Sequence, residues 1–90
     1  MYIPDSLWPA VKQRLCDEIA TIKMGDVCDF RNFMNAVIDE RSFRKIGGFI
    51  DEAKKSATAK VLHGGSLHGE TGYFVDPTVI EVSDPLYRTM

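Results

Sequence analysis

The sequence predicts an α/β fold with its elements in the order β-α-α-β-β. Two stretches place apolar residues three and four apart, which is the spacing of a helix face. A later stretch, Thr78-Val79-Ile80-Glu81-Val82, is rich in β-branched residues and suits a strand. Glycines and prolines punctuate the chain between these stretches.

The first element is Tyr2-Ile3, read as the end of a strand that Pro4 stops. Ser6 is the candidate N-cap of the first helix, and Pro9 falls in the first turn, where a missing N–H costs nothing. Trp8, Val11, Leu15, Ile19 and Ile22 form one apolar stripe, and Gly25 is the expected stop, with Lys23 near the negative end. Residues 26–35 have no clean period; Phe30 and Phe33 suggest a turn pinned against a core. Ala36-Val37-Ile38 reads as a brief extended piece.

The second helix opens at Asp39 and closes at Lys54-Lys55, so its acidic and basic ends match the helix dipole. Its apolar face is Phe43, Ile46, Phe49, Ile50 and Ala53. Gly47 and Gly48 weaken it by about 1 kcal/mol each against alanine, either to admit a neighbour or because they are tolerated. Thr58 to His63 is a strand, Gly64-Gly65 opens a glycine-rich turn, and Tyr73-Phe74-Val75 leads through Pro77 into the last strand. Ser83 to Met90 is loop-like, with a turn at Asp84-Pro85.

Ninety residues make one domain at most, with a small margin for a self-sufficient core. The amphipathic stripes need a sheet to lie on, and two or three short strands with open edges supply little of one. As an independent domain the chain looks incomplete. Its formal net charge of −2, with both signs interspersed, gives no electrostatic reason to expect nucleic acid or an anionic membrane as partner. No apolar run approaches the length of a membrane span, and Met1-Tyr2-Ile3-Pro4-Asp5 has the character of neither a signal nor a transit peptide.

Spacing alone reveals no chemistry. Gly64, Gly65, Gly69 and Gly72 resemble a phosphate loop in composition only, because they join strand to strand and precede no helix whose N–H groups would receive a phosphate. His63 and His68, five apart on a loop, lack the fixed helical spacing of metal proteases and read as surface histidines. Cys16 and Cys28 form no metal set with them, and neither is placed as an activated nucleophile; both read as free thiols. Arg41, Arg44 and Lys45 read as a solvated helix face.

Several stretches nevertheless resemble a known family. Gly64-Gly65 followed by Gly72-Tyr73-Phe74-Val75-Asp76-Pro77-Thr78-Val79 is similar to the segment that aldehyde dehydrogenases carry shortly before a Glu-Ile-Phe-Gly-Pro motif. Tyr2-Ile3-Pro4 resembles the strand that follows the catalytic cysteine in that family. Ser6-Leu7-Trp8-Pro9, Asn35-Ala36-Val37-Ile38-Asp39 and Ser42-Phe43 resemble its pyrroline-5-carboxylate dehydrogenase branch. The resemblance implies a fragment of the aldehyde dehydrogenase catalytic domain, from an enzyme that oxidises glutamate-γ-semialdehyde to glutamate with NAD.

By the same resemblance, the nucleophilic cysteine, the glutamate base and the oxyanion asparagine map outside this chain, so that catalytic residues are expected to be absent and the isolated chain inactive, with no cofactor of its own. One contact carries over. Many relatives bind the nicotinamide ribose with a glutamine and a lysine at the start of the second helix, and the matching positions are Ser42 and Lys45. Lys45 fits the pattern and Ser42 departs from it. The expected partner is the remainder of the parent enzyme, or a second copy joined through open strand edges; a stand-alone interaction module is the alternative. The resemblance places a eukaryotic parent in the mitochondrial matrix and a bacterial one in the cytoplasm.

Overall fold

The computed structural model describes residues 1–90, whose elements run in the order α1 (Trp8–Ala20), α2 (Glu40–Lys55), β1 (Ala59–His63), β2 (Leu67–His68), β3 (Phe74–Val75) and β4 (Val79–Val82). The fold is α/β, as the sequence predicts. The opening strand is the correction: Tyr2 and Ile3 pair with no other strand, and the glycine-rich turn contributes β2 instead.

Helix α1 forms on the predicted stripe but is capped differently. The Pro4 carbonyl accepts the Leu7 and Trp8 amides at 2.9 and 3.1 Å, so a turn of backbone starts the helix and the Ser6 hydroxyl does not cap it. The helix closes before Gly25. Thr21 turns its hydroxyl back to the Glu18 carbonyl at 2.6 Å, and the Thr21 and Ile22 amides bond three residues back, tightening the last turn. Lys23 then offers its carbonyl to both Phe33 and Met34, at 2.8 and 3.1 Å, and Met24 bridges Met34 in parallel. Gly25 lets the Asn32 side chain lie close: a Cβ there would be 2.6 Å from its nitrogen, which would have to shift.

Helix α2 follows the reading closely. The Asp39 carboxylate accepts the Ser42 amide at 2.7 Å, Glu40 sits in the first turn, and Lys54 and Lys55 in the last. Its two mid-helix glycines differ in purpose. A Cβ at Gly47 would lie 2.7 Å from Leu67 Cδ2, so the absence of a side chain lets β2 approach the helix. Gly48 faces open space and is simply tolerated.

β1 and β4 pair antiparallel, with Ala59 opposite Val82, Lys60 opposite Glu81 and Val61 opposite Ile80. The register slips at Leu62, so that His63 faces Val79. β2 and β3 form a separate antiparallel pair, with Leu67 opposite Val75 and His68 opposite Phe74. Ala36–Ile38 joins no strand; only the Val37 amide reaches across, to the Tyr73 carbonyl at 2.8 Å. No helix is long and apolar enough to cross a membrane.

These elements do not close over a core. The buried apolar side chains are those of Ile50 and Ala53, both on α2, whereas Phe30, Ile38 and Leu86 are 96%, 90% and 88% exposed. The molecule measures 42 × 26 × 15 Å, and so is a flat slab in its thinnest direction. Its surface of 6750 Å² exceeds the roughly 5,300 Å² expected of a compact monomer of its 10.1 kDa mass. Its radius of gyration is 14.4 Å, against about 12 Å for a compact domain of this length. Local structure is thus well formed while little of it is buried.

α1 is tied to the small sheet by one polar cluster. The Trp8 indole N–H and the Lys12 ammonium (3.2 Å) both reach the Glu81 carboxylate on β4. The indole hydrogen bond, with Lys12 adding its charge, holds Glu81 below its ordinary value of 4.5, against a partial desolvation that works the other way. A carboxylate with a lowered folded-state pKa contributes stability above the unfolded value and loses it as pH falls through the folded one. Glu81→Gln in a full-length enzyme carrying this segment is therefore expected to soften the loss of stability below pH 4.5. Thermal midpoints of the two proteins across the acid range check this; parallel acid limbs would contradict it.

Candidate functional site

The first turns of α2 hold the residues singled out from the sequence. Ser42 and Lys45 are three apart on one helix and therefore share a face. Lys45 is exposed and makes no ion pair or side-chain hydrogen bond, which leaves a free ammonium one turn from the positive end of the helix. Its neighbour Arg44, by contrast, is paired to Glu40 at 2.5 Å. Ser42 is half-buried and turned toward its own cap. Its amide, and then its hydroxyl, hold the Asp39 carboxyl below the usual carboxylate range. Lys45 thus suits a hydroxyl- or phosphate-bearing ligand, while Ser42 is already engaged in starting the helix.

Between them in sequence is Phe43, held by the β2–β3 hairpin. The rings of Phe43 and Tyr73 lie 5.6 Å apart at 47°, a favourable tilted pair. Gly69 leaves room for the Phe43 ring, which lies 3.4 Å from where a Cβ would be. Leu67 presses on Gly47 one turn later, and the Tyr73 carbonyl takes the Val37 amide just before the helix cap. Neither Tyr73 nor Gly69 stood out in the sequence as a support of this face. An aromatic beside a glycine turn carries no signal of which helix it will meet.

The remaining candidates disperse. His68 pairs with Asp76 across the hairpin, Nε2 to Oδ1 at 3.0 Å, and His63 lies on β1. No three His, Cys, Asp or Glu side chains gather as a metal set. Cys16 is half-buried on α1 and Cys28 is exposed on the following loop, both free. Gly64 and Gly65 both have positive φ, 72° and 87°, and make a tight turn rather than an anion cradle. The Gly65 amide donates to Thr78 Oγ1 at 3.0 Å, and its carbonyl accepts Lys54 Nζ at 2.6 Å. A groove of about 520 Å³ lies between α1 and β4, lined by Tyr2, Trp8, Leu15, Ile80 and Met90 among others.

The pattern of the aldehyde dehydrogenase family matches residues 1–90, the whole of the sequence. The chain belongs to the aldehyde dehydrogenase family. Among aldehyde dehydrogenases, it is 47% identical over 91 residues to the mitochondrial delta-1-pyrroline-5-carboxylate dehydrogenase of Danio rerio, covering 100% of this chain and 16% of that protein. In three dimensions it is similar to the delta-pyrroline-5-carboxylate dehydrogenase of Mycobacterium tuberculosis, with a TM-score of 0.87 and 37% identity over 92% of this chain and 15% of that one. The same mycobacterial enzyme bound with NAD gives a TM-score of 0.85 at 37% identity, over 90% of this chain and 15% of its own. The chain thus spans about a sixth of the length of the aldehyde dehydrogenases it resembles. Its open slab has the fold of one piece of those larger enzymes.

Proposed function

We propose that these residues are the segment of an NAD-dependent dehydrogenase that oxidises glutamate-γ-semialdehyde, formed from pyrroline-5-carboxylate, to glutamate in proline breakdown. The observation that carries the proposal is the match to enzymes named for pyrroline-5-carboxylate, over the whole chain in sequence and 92% of it in backbone. NAD enters through the mycobacterial relative, which has been solved with it. When bound, NAD accepts a hydride from the substrate; within this segment, the exposed Lys45 ammonium is the group fitted to hold a ribose hydroxyl of the cofactor. Ser42 stands beside it and acts chiefly through the helix cap it completes with Asp39. In a eukaryote, the setting we propose is the mitochondrial matrix, in line with relatives named mitochondrial.

The chemistry itself requires an activated nucleophile, a base and an oxyanion donor held together. Cys16 is half-buried on a helix and Cys28 is exposed on a loop, both as free thiols. The ninety-residue chain alone, given NAD and pyrroline-5-carboxylate, is expected to form no NADH above a blank. The longer polypeptide that contains it is expected to do so. Turnover by the short chain, or a longer enzyme indifferent to pyrroline-5-carboxylate, would overturn the proposal.

A further inference from the structure

We infer that the β2–β3 hairpin is the positioning element of the cofactor-contacting face, and that Tyr73 is its principal positioning residue. This inference rests on the reading of Lys45 given above. Four contacts carry it, three on the first half of α2 and one on the residues that lead into it. Tyr73 stacks on Phe43 at 5.6 Å, Gly69 admits the far edge of the same ring, Leu67 fills the space that Gly47 leaves, and the Tyr73 carbonyl fixes Val37 ahead of the cap. Phe43 lies one residue from Ser42 and two from Lys45, on the same turn of helix.

A lysine ammonium at the end of a flexible four-carbon stem contacts a ligand well only when its helix is held in place. The first half of α2 is the less firmly buried one, with Phe43 and Ile46 only half-buried. The buried side chains of the helix, Ile50 and Ala53, lie toward its C-terminal half, and Gly48 leaves the middle of the helix without a side chain. The hairpin therefore sets where the first two turns point. Its own shape is held by the His68–Asp76 pair and by the Asp76 amide, which donates to the Ser66 carbonyl at 3.0 Å. The ring of Tyr73 acts through packing, because its hydroxyl makes no hydrogen bond and its contact with Phe43 is ring to ring.

The test uses the full-length dehydrogenase that carries this segment, with NAD itself as the probe. Tyr73→Ala is expected to weaken NAD binding about tenfold, as a rise in both Kd and KM for NAD that exceeds any fall in kcat. Tyr73→Phe keeps the ring and is expected to restore the affinity to within about twofold. Lys45→Met is measured beside them. If it leaves the NAD affinity unchanged, the cofactor reading of this face fails. If Lys45→Met weakens binding and Tyr73→Ala does not, the positioning role fails while that reading stands. A Tyr73→Phe variant as weak as Tyr73→Ala would also overturn the inference, since the hydroxyl and not the packed ring would then be responsible.

Discussion

Gly64→Ala, introduced into a full-length dehydrogenase carrying this segment, is expected to cost about 2–5 kcal/mol of stability. Two penalties add. Gly64 has φ of +72°, where an L side chain is strained by about 1–2 kcal/mol. The new Cβ would also sit 2.2 Å from the Pro77 carbonyl oxygen, which is backbone and cannot rotate away. Relief requires β1 and β4 to separate next to the point where their register already slips. The neighbouring Gly65 is tied to Thr78 Oγ1 and Lys54 Nζ, so the disturbance would reach α2 as well. Thermal midpoint and soluble yield of the variant check this. A midpoint within a degree of the parent would show that the turn is looser than its geometry implies.

Ile50→Ala is the second large effect, expected at about 2–5 kcal/mol in the same full-length protein. Ile50 is 3% exposed within this segment alone, and with Ala53 it forms the only apolar core the segment possesses. Added layers of the parent fold can only bury it further, so the cavity has no route to solvent and little means of collapse. Phe30→Ala offers a contrast, because Phe30 is 96% exposed here and gains burial only from chain outside the segment. If Ile50→Ala proves milder than about 1 kcal/mol, α2 is not the centre of packing.

The fold was legible where local chemistry dominates. α2 could be read from Asp39 to Lys55 because cap, stripe and charged ends all agree, and the structure keeps those ends to within a residue. α1 ends earlier than Gly25 suggests, because Thr21 closes the last turn with its own hydroxyl. Ser6 does not cap for a related reason, since a proline carbonyl two residues earlier starts the helix through backbone alone. β2 was invisible because two residues in a glycine-rich turn carry no period, and their pairing is decided by Phe74 and Val75 across the hairpin. At the candidate site, Lys45 was reached by resemblance, while Tyr73, Gly69 and Leu67 meet α2 only through tertiary contact.

The open face ties these points together. Two-stranded pieces of sheet with free edges, a thin slab and exposed Phe30, Phe33 and Leu86 leave a broad apolar surface open, and we propose that the rest of a larger dehydrogenase covers it. Amide hydrogen exchange of the isolated ninety-residue chain tests that claim most directly. If the missing layer lies in the rest of a larger dehydrogenase, the amides of β1, β4 and α1 exchange rapidly and denaturant produces no sharp transition, with at most weak protection around Ile50 and Ala53. Slow exchange across both helices, together with a single cooperative unfolding step in a monomer, would contradict it.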